Sequence, residues 1–359
     1  MSTPEISTIM SERSRKSFRR RIWTLASGLR ALPRMLPVLA AAYALLGAGV
    51  GAAHAETWPA KPIKFVVGWP TGGGTDAVAR LVAPHLAKGL GQQIIIENRG
   101  GAGGRIGTKW VAQAAPDGYT LLFHADSELP PLALNAQLTP KLMQFEPLKD
   151  FSLISLVGRG AYMVVTSAAF PANTLSELIA YCKNNPGKVN YGSFGVGSLA
   201  NMLGEMLNVS AGIRAVEIPY KGSGPLTVAL SGGHIDFSFV PPLTALPLIK
   251  AGKLKGLAIL APKRLSAADD IPTTTEAGLP GFVGGSWYAL LAPPKTPKPI
   301  IDRLNAELAS TLASPELKKS FEFLNILPLG STPEDLGRFI QVQLAKRKQV
   351  AAILKIDLE

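Results

Sequence analysis

One cysteine and four histidines in 359 residues leave little material for metal or redox chemistry. Cys182 alone excludes an internal disulfide, so in an oxidising compartment the fold must rest on its core. Beside Tyr181 in a helical run, Cys182 reads as a small packed residue rather than a nucleophile. His54, His85, His124 and His234 are scattered, and no His/Cys/carboxylate cluster has metal-ligand spacing. No metal and no cofactor is therefore expected. The nucleotide and hydrolase signatures are missing too. There is no G-x-S-x-G and no G-x-x-x-x-G-K-[ST]. The run GGAGGRIG (100 to 107) misses the G-x-G-x-x-G register, because Ile106 stands where the last glycine belongs. Charged residues are only 17% of the chain and form no basic stripe with interleaved aromatics, which excludes a nucleic-acid surface.

Long apolar runs are equally scarce. One uncharged stretch, residues 35 to 53, follows a basic region ending at Arg34 and precedes Ala53-His54-Ala55. That order predicts a signal peptide over residues 1 to 55, cleaved after Ala55. The mature chain would then be exported to the periplasm. Residues 1 to 55 hold eight of the basic side chains, leaving 29 Lys and Arg against 23 acids beyond them. That modest positive balance suits the steering of anionic ligands.

What is present is core material, 47% hydrophobic, punctuated by 36 glycines and 29 prolines. IKFVVGW (63 to 69), QIIIEN (93 to 98) and YTLLFH (119 to 124) read as strands. TDAVARLVAPHLAKGLG (75 to 91) and IGTKWVAQAA (106 to 115) read as the helices between them. This β-α-β-α-β order predicts an α/β fold with a parallel sheet. LISLVGRGAYMVVTS (153 to 167) reads as a long interrupted strand suited to crossing into a second α/β unit, and SWYALLAPP (286 to 294) as the strand that returns. The expected lobes are residues 56 to 157 plus 280 to 359, and residues 158 to 279, with a hinge of crossing strands.

Ligands of open parallel sheets gather at the carboxyl ends of strands. Three glycine-rich loops sit there: residues 69 to 76, residues 191 to 198, and Lys221-Gly222-Ser223-Gly224. Each leads into a helix, whose first N–H groups are free to meet an anion. Micromolar binding needs about 8 kcal/mol, so several such loops must converge. No catalytic set accompanies them. Asp76 at a helix start reads as a cap or a base, and His124, at a strand end, has no triad partners.

PAKPIKFVVGWPTGGGTDAVARLVAPHL, QQIIIENRGGAGGRIGTKWVAQAAPDGYTLL, NYGSFGVGS and IPYKGSGP carry a resemblance, as do IKAGKLKGLAI, IPTTTEAGLPGF and TPKPIIDRLNAEL. In order and across nearly the whole mature chain, they resemble the Bug family, extracytoplasmic solute receptors of tripartite tricarboxylate transporters. The resemblance implies a two-lobed periplasmic-binding-protein (Venus flytrap) fold. It implies a small carboxylate held between the lobes, partly through ordered water, and handed to integral membrane transporter subunits. The receptor is expected to be a monomer and not an enzyme.

The family's two gripping loops map onto residues 69 to 76 and 191 to 198. Trp69 stands where relatives typically have Phe; Gly72, Gly73, Thr75 and Asp76 match the first loop, and Ser193, Gly195, Gly197 and Ser198 the second. The expected ligand-binding set is these residues with Thr71, His124, Phe194 and Pro241. Leu199-Ala200-Asn201 replaces a usually polar continuation, HADSEL (124 to 129) replaces a G-T-S-G-like turn, and Val240-Pro241-Pro242 stands where an Asp-Asn pair is common. These departures weigh against a citrate-like solute. Trp69, Phe194, Leu199 and Trp287 are suited to wall an aromatic or apolar acid; the alternative is that Phe194 and Leu199 only pack between helix and sheet. Asp126 and Glu128 are either solvated or face an amine. Two other readings remain open: an exported hydrolase using Asp76 or His124, and a ligand sensor signalling to a membrane kinase.

Overall fold

A computed structural model describes residues 58–125, 148–195, 198–323 and 326–354. The expected signal peptide, Asp126, Glu128 and Gly197 lie outside the described residues. The chain from Trp58 onward forms one unit built on two sheets.

The first sheet starts as the sequence pattern predicts. Strand β1 (Ile63–Val67), helix α1 (Gly74–Leu90), strand β2 (Ile94–Asn98), helix α2 (Arg105–Ala112) and strand β3 (Thr120–Ala125) make two parallel crossovers, with β1 between β2 and β3. Helix α1 forms because Val78, Ala79, Val82, Ala83 and Leu86 recur on one buried face, and it stops at Gly91 in the left-handed conformation. Strand β4 (Ser152–Ala161) joins this sheet, while β5 (Met163–Ser167) belongs to the other, so the long interrupted strand is two strands broken at Tyr162.

The second sheet holds β5, β6 (Asn190–Ser193), β7 (Val216–Pro219), β8 (Phe237–Val240) and β9 (Leu254–Ile259), in the order β7-β6-β8-β5-β9. Its helices are α3 (Leu175–Asn184), α4 (Leu199–Ala211), α5 (Ser223–Ser231) and α6 (Pro242–Lys250). Cys182 on α3 is fully buried, and burial pushes its thiol up to about 11, with Asp236 adding to the effect. That makes it an inert packed residue at neutral pH.

Strand β10 (Gly285–Ala292) returns to the first sheet and runs antiparallel between β3 and β4. Helix α7 (Lys298–Ala313), helix α8 (Pro315–Phe323), strand β11 (Ile326–Pro328) and helix α9 (Pro333–Leu354) complete it, giving the order β11-β4-β10-β3-β1-β2. The residues on the α1 and α7 side of this sheet join the larger core; Val66, Leu122, Trp287 and Leu291 face α2 and α9 in a second core.

The two crossings lie side by side. Tyr162 N–H donates to Gly284 O at 3.0 Å, Leu260 N–H to Tyr162 O at 2.8 Å, and Gly284 N–H to Leu260 O at 3.1 Å. The strands press so closely there that a Cβ on Gly285 would lie 2.1 Å from Gly160 O, so only glycine fits.

Candidate functional site

The loop after β1 is built by one carboxylate. Asp76, 2% exposed in the first turn of α1, accepts from Gly72 N–H at 3.0 Å, from Arg80 Nε at 3.0 Å and from Asn98 Nδ2 at 3.0 Å. Asn98, at the end of β2, also donates to Trp69 O at 2.9 Å and accepts from Thr71 Oγ1 at 3.1 Å. Burial alone would raise the Asp76 carboxyl, but the hydrogen bonds from Arg80, Gly72 and Asn98 and the Arg80 charge outweigh it and hold the group below its ordinary value. Asp76 therefore fixes the loop, and with three donors upon it has no character of a free base.

The loop after β6 is also self-braced. Ser193 Oγ donates to Glu217 on β7 and accepts from Gly195 N–H at 2.8 Å. Burial raises the Glu217 carboxyl, opposed by Ser193 and reinforced by the neighbouring Glu205. Ser198 caps α4, its Oγ accepting from Asn201 N–H and from Phe194 N–H, each at 3.3 Å. Ser198→Ala is expected to lower unfolding stability by about 1 kcal/mol. Urea denaturation measures this, and an unchanged midpoint would mean the cap contributes nothing.

These loops meet between the sheets. Trp69 and Phe194 touch edge to face with centroids 5.9 Å apart. Gly74 N–H, at the start of α1, donates to Ser223 Oγ at the start of α5, 3.0 Å away and buried. The cavity they enclose measures about 10 Å³, room for about one water. Its aromatic walls are Trp69, Tyr162, Phe194 and Tyr288. Among the described residues its other lining positions are Gly74, Thr75, Gly222, Ser223, Pro241 and Ser286, none of them charged. Helices α1 and α5, one from each sheet, begin here and bring their N-terminal ends to one place, and Pro241 at the start of α6 closes the wall. The arrangement can hold an anion by neutral donors. It is too small for an organic solute as it stands, so the lobes must part to admit one.

Of the residues expected from sequence, Trp69, Thr75, Phe194 and Pro241 line the cavity, and Gly73 is the N-cap of α1. Thr71 and Gly72 are exposed on an outer groove of about 630 Å³, opposite Gly224 and Leu243. Asp76, Ser193, Gly195 and Ser198 brace their own loops. His124 needs correction. It is buried on the other face of the first sheet, against Trp287 with ring centroids 5.8 Å apart, because alternate residues of β3 face α2 and α9. Trp287, expected as a wall, packs there too, 5.3 Å from Phe339. Tyr162, Ser286, Tyr288 and the bracing Asn98 were not anticipated. Gly222 and Ser223 of the third glycine loop also line the cavity, outside the set expected from sequence. Among the described residues no group of three or more His, Cys, Asp or Glu is placed to hold a metal, and no helix is long and apolar enough to cross a membrane.

A family profile described as "Tripartite tricarboxylate transporter family receptor" matches residues 78–358. The chain is 37% identical to "Protein BugT" of Bordetella pertussis over 300 residues, covering 83% of this chain and 91% of that one. Among solved structures it resembles the periplasmic binding protein BugD, with TM-score 0.75 and 32% identity, covering 83% of this chain and 99% of that one. It also resembles MatC from Rhodopseudomonas palustris, solved with bound malate, with TM-score 0.73 and 34% identity, covering 82% of this chain and 99% of the other.

Proposed function

The chain belongs to the tripartite tricarboxylate transporter receptor family, and from that premise we propose that it captures a small carboxylic acid in the periplasm, between two lobes, for integral membrane transporter subunits. The lobes are residues 56–161 with 280–359, and residues 162–279. Export removes residues 1–55, and the mature receptor acts as a monomer without chemical turnover.

The observation that carries this reading is the facing pair of helix starts, α1 in one lobe and α5 in the other, around a cavity with no charged side chain among the described residues. One exposed helix end supplies only ~0.3–1 kcal/mol. Charge-assisted hydrogen bonds add ~1.5–3 kcal/mol each. Three to five such bonds from Thr75, Ser223 and the helix-start amides reach the roughly 8 kcal/mol of micromolar binding. The aromatic walls favour an acid with an apolar or aromatic body. Malate in MatC supports the carboxylate itself.

Mass spectrometry of the purified mature protein, native and then denatured, tests the proposal. The expected result is release of an intact carboxylic acid, which then titrates back by calorimetry. A protein that neither carries nor binds any carboxylate, or that converts one to product, would overturn it.

A further inference from the structure

Trp69 is 5% exposed, lines the cavity, and its Nε1–H has no hydrogen-bond partner among the described residues. Buried donors are almost always satisfied, so such a group calls for an explanation. The indole is not free to turn away and find one. Its backbone carbonyl is held by Asn98 Nδ2 at 2.9 Å. Its ring stands edge to face with Phe194 from the other lobe. Its Cε3–Cζ3 edge abuts Gly222, where an added Cβ would lie 3.1 Å from Cε3. Nε1 lies on the opposite edge of the indole. Phe194 and Gly222 thus hold the ring from the second lobe, and no described residue offers its buried Nε1–H an acceptor.

Resting on the receptor reading above, we infer that the solute carries, besides its carboxylate, a second hydrogen-bond acceptor that receives Trp69 Nε1–H, making Trp69 a specificity-determining residue. The acceptor is a neutral hydroxyl, carbonyl or ring nitrogen. Among the described residues a second carboxylate would meet a wall without any cationic side chain, and a desolvated anion needs such a partner or several strong donors. A carboxylate lacking the acceptor leaves the indole donor buried and unmatched, and the site rejects it for that reason.

The test uses two matched pairs of probes, nicotinate with benzoate and lactate with propionate, on the mature wild-type protein and on Trp69→Phe. The substitution keeps an aromatic ring and removes the donor. The expected result is that wild type prefers the acceptor-bearing member of a pair by about ten-fold, about 1.4 kcal/mol. Trp69→Phe should bring the two members to within about two-fold of each other. In a 15N-edited spectrum, the indole resonance lost in Trp69→Phe should shift when nicotinate or lactate saturates wild type. Equal weakening of both members by the substitution, with that resonance unmoved, would mean that the ring only packs, and would overturn the inference while leaving the receptor reading intact. Failure of wild type to bind any carboxylate would overturn the receptor reading itself.

Discussion

Gly74→Ala lowers solute affinity by at least about a hundred-fold and leaves the unfolding midpoint of the solute-free protein near that of wild type. A Cβ on Gly74 would lie 2.6 Å from Pro241 Cγ and 3.2 Å from Pro241 Cβ. Gly74 opens α1 on the first sheet; Pro241 is the N-cap of α6 on the second. The clash therefore exists only when the two lobes meet. The proline ring cannot rotate out of the way, because its φ is fixed and Pro242 follows it in the first turn. Relief requires the lobes to stay apart, which breaks the 3.0 Å bond from Gly74 N–H to Ser223 Oγ. The interior of each lobe is untouched, and alanine is a better helix former than glycine by up to about 1 kcal/mol. Losing one or two of the bonds made from the opposite lobe, at ~1.5–3 kcal/mol each, accounts for the hundred-fold. Calorimetric titration with the co-purified solute measures the loss, and solution scattering should find the variant more extended on solute addition than wild type. Retained wild-type affinity would show that the lobes do not approach this closely around the solute.

Asp76→Ala acts on stability instead, by about 3 kcal/mol near neutral pH. The substitution strands Gly72 N–H, Asn98 Nδ2 and Arg80 Nε. Hydrogen bonds to a charged group contribute ~1.5–3 kcal/mol each. The Arg80 side chain is 48% exposed and regains water, so its share is discounted. The effect has a pH signature. The folded carboxyl titrates below its ordinary 3.8. A depressed folded pKa gives stability that is present above the unfolded value and is lost as pH falls through the folded one. The gap between wild type and Asp76→Ala should therefore close below about pH 4. Urea titrations at neutral pH and in acid check this, and a gap of equal size at both would remove Asp76 as its source.

The framework of the first lobe was legible because periodicity and punctuation agree. Apolar spacing in residues 75 to 91 and the closing Gly91 locate α1 to within a residue. The break at Tyr162 was visible as an interrupted strand, since Gly158 and Gly160 precede it. Strand β11 was not legible: three residues carry no pattern, and their pairing with β4 comes from distant sequence. Helix α8 was missed for a related reason, being short and joined to α7 with only Ser314 between.

The site was readable in its loops and unreadable in its floor. Gly72, Gly73 and Thr75 announce a helix start by composition. Tyr288, Ser286 and Trp287 sit on β10, whose residues are buried on both faces. Without polar alternation a strand does not declare which side faces a ligand. The sequence therefore suggests Trp287 as a wall, whereas its neighbours Ser286 and Tyr288 line the cavity. The same uniform burial hides the direction of His124, one register step from Phe123. Ser193 illustrates a different limit: its hydroxyl is spent on Glu217, a partner 24 positions away that no local pattern connects to it.

The three bonds that tie Tyr162, Leu260 and Gly284 together are made by main chain alone. Any sequence that keeps the backbone path keeps them. The bonds of the pivot are thus made by peptide groups, while the walls of the pocket are made by side chains. Mutation is free to re-line the walls at Phe194, Ser223 or Tyr288 without disturbing the joint about which the lobes turn. A lineage built this way can exchange one solute for another while inheriting its mechanics unaltered.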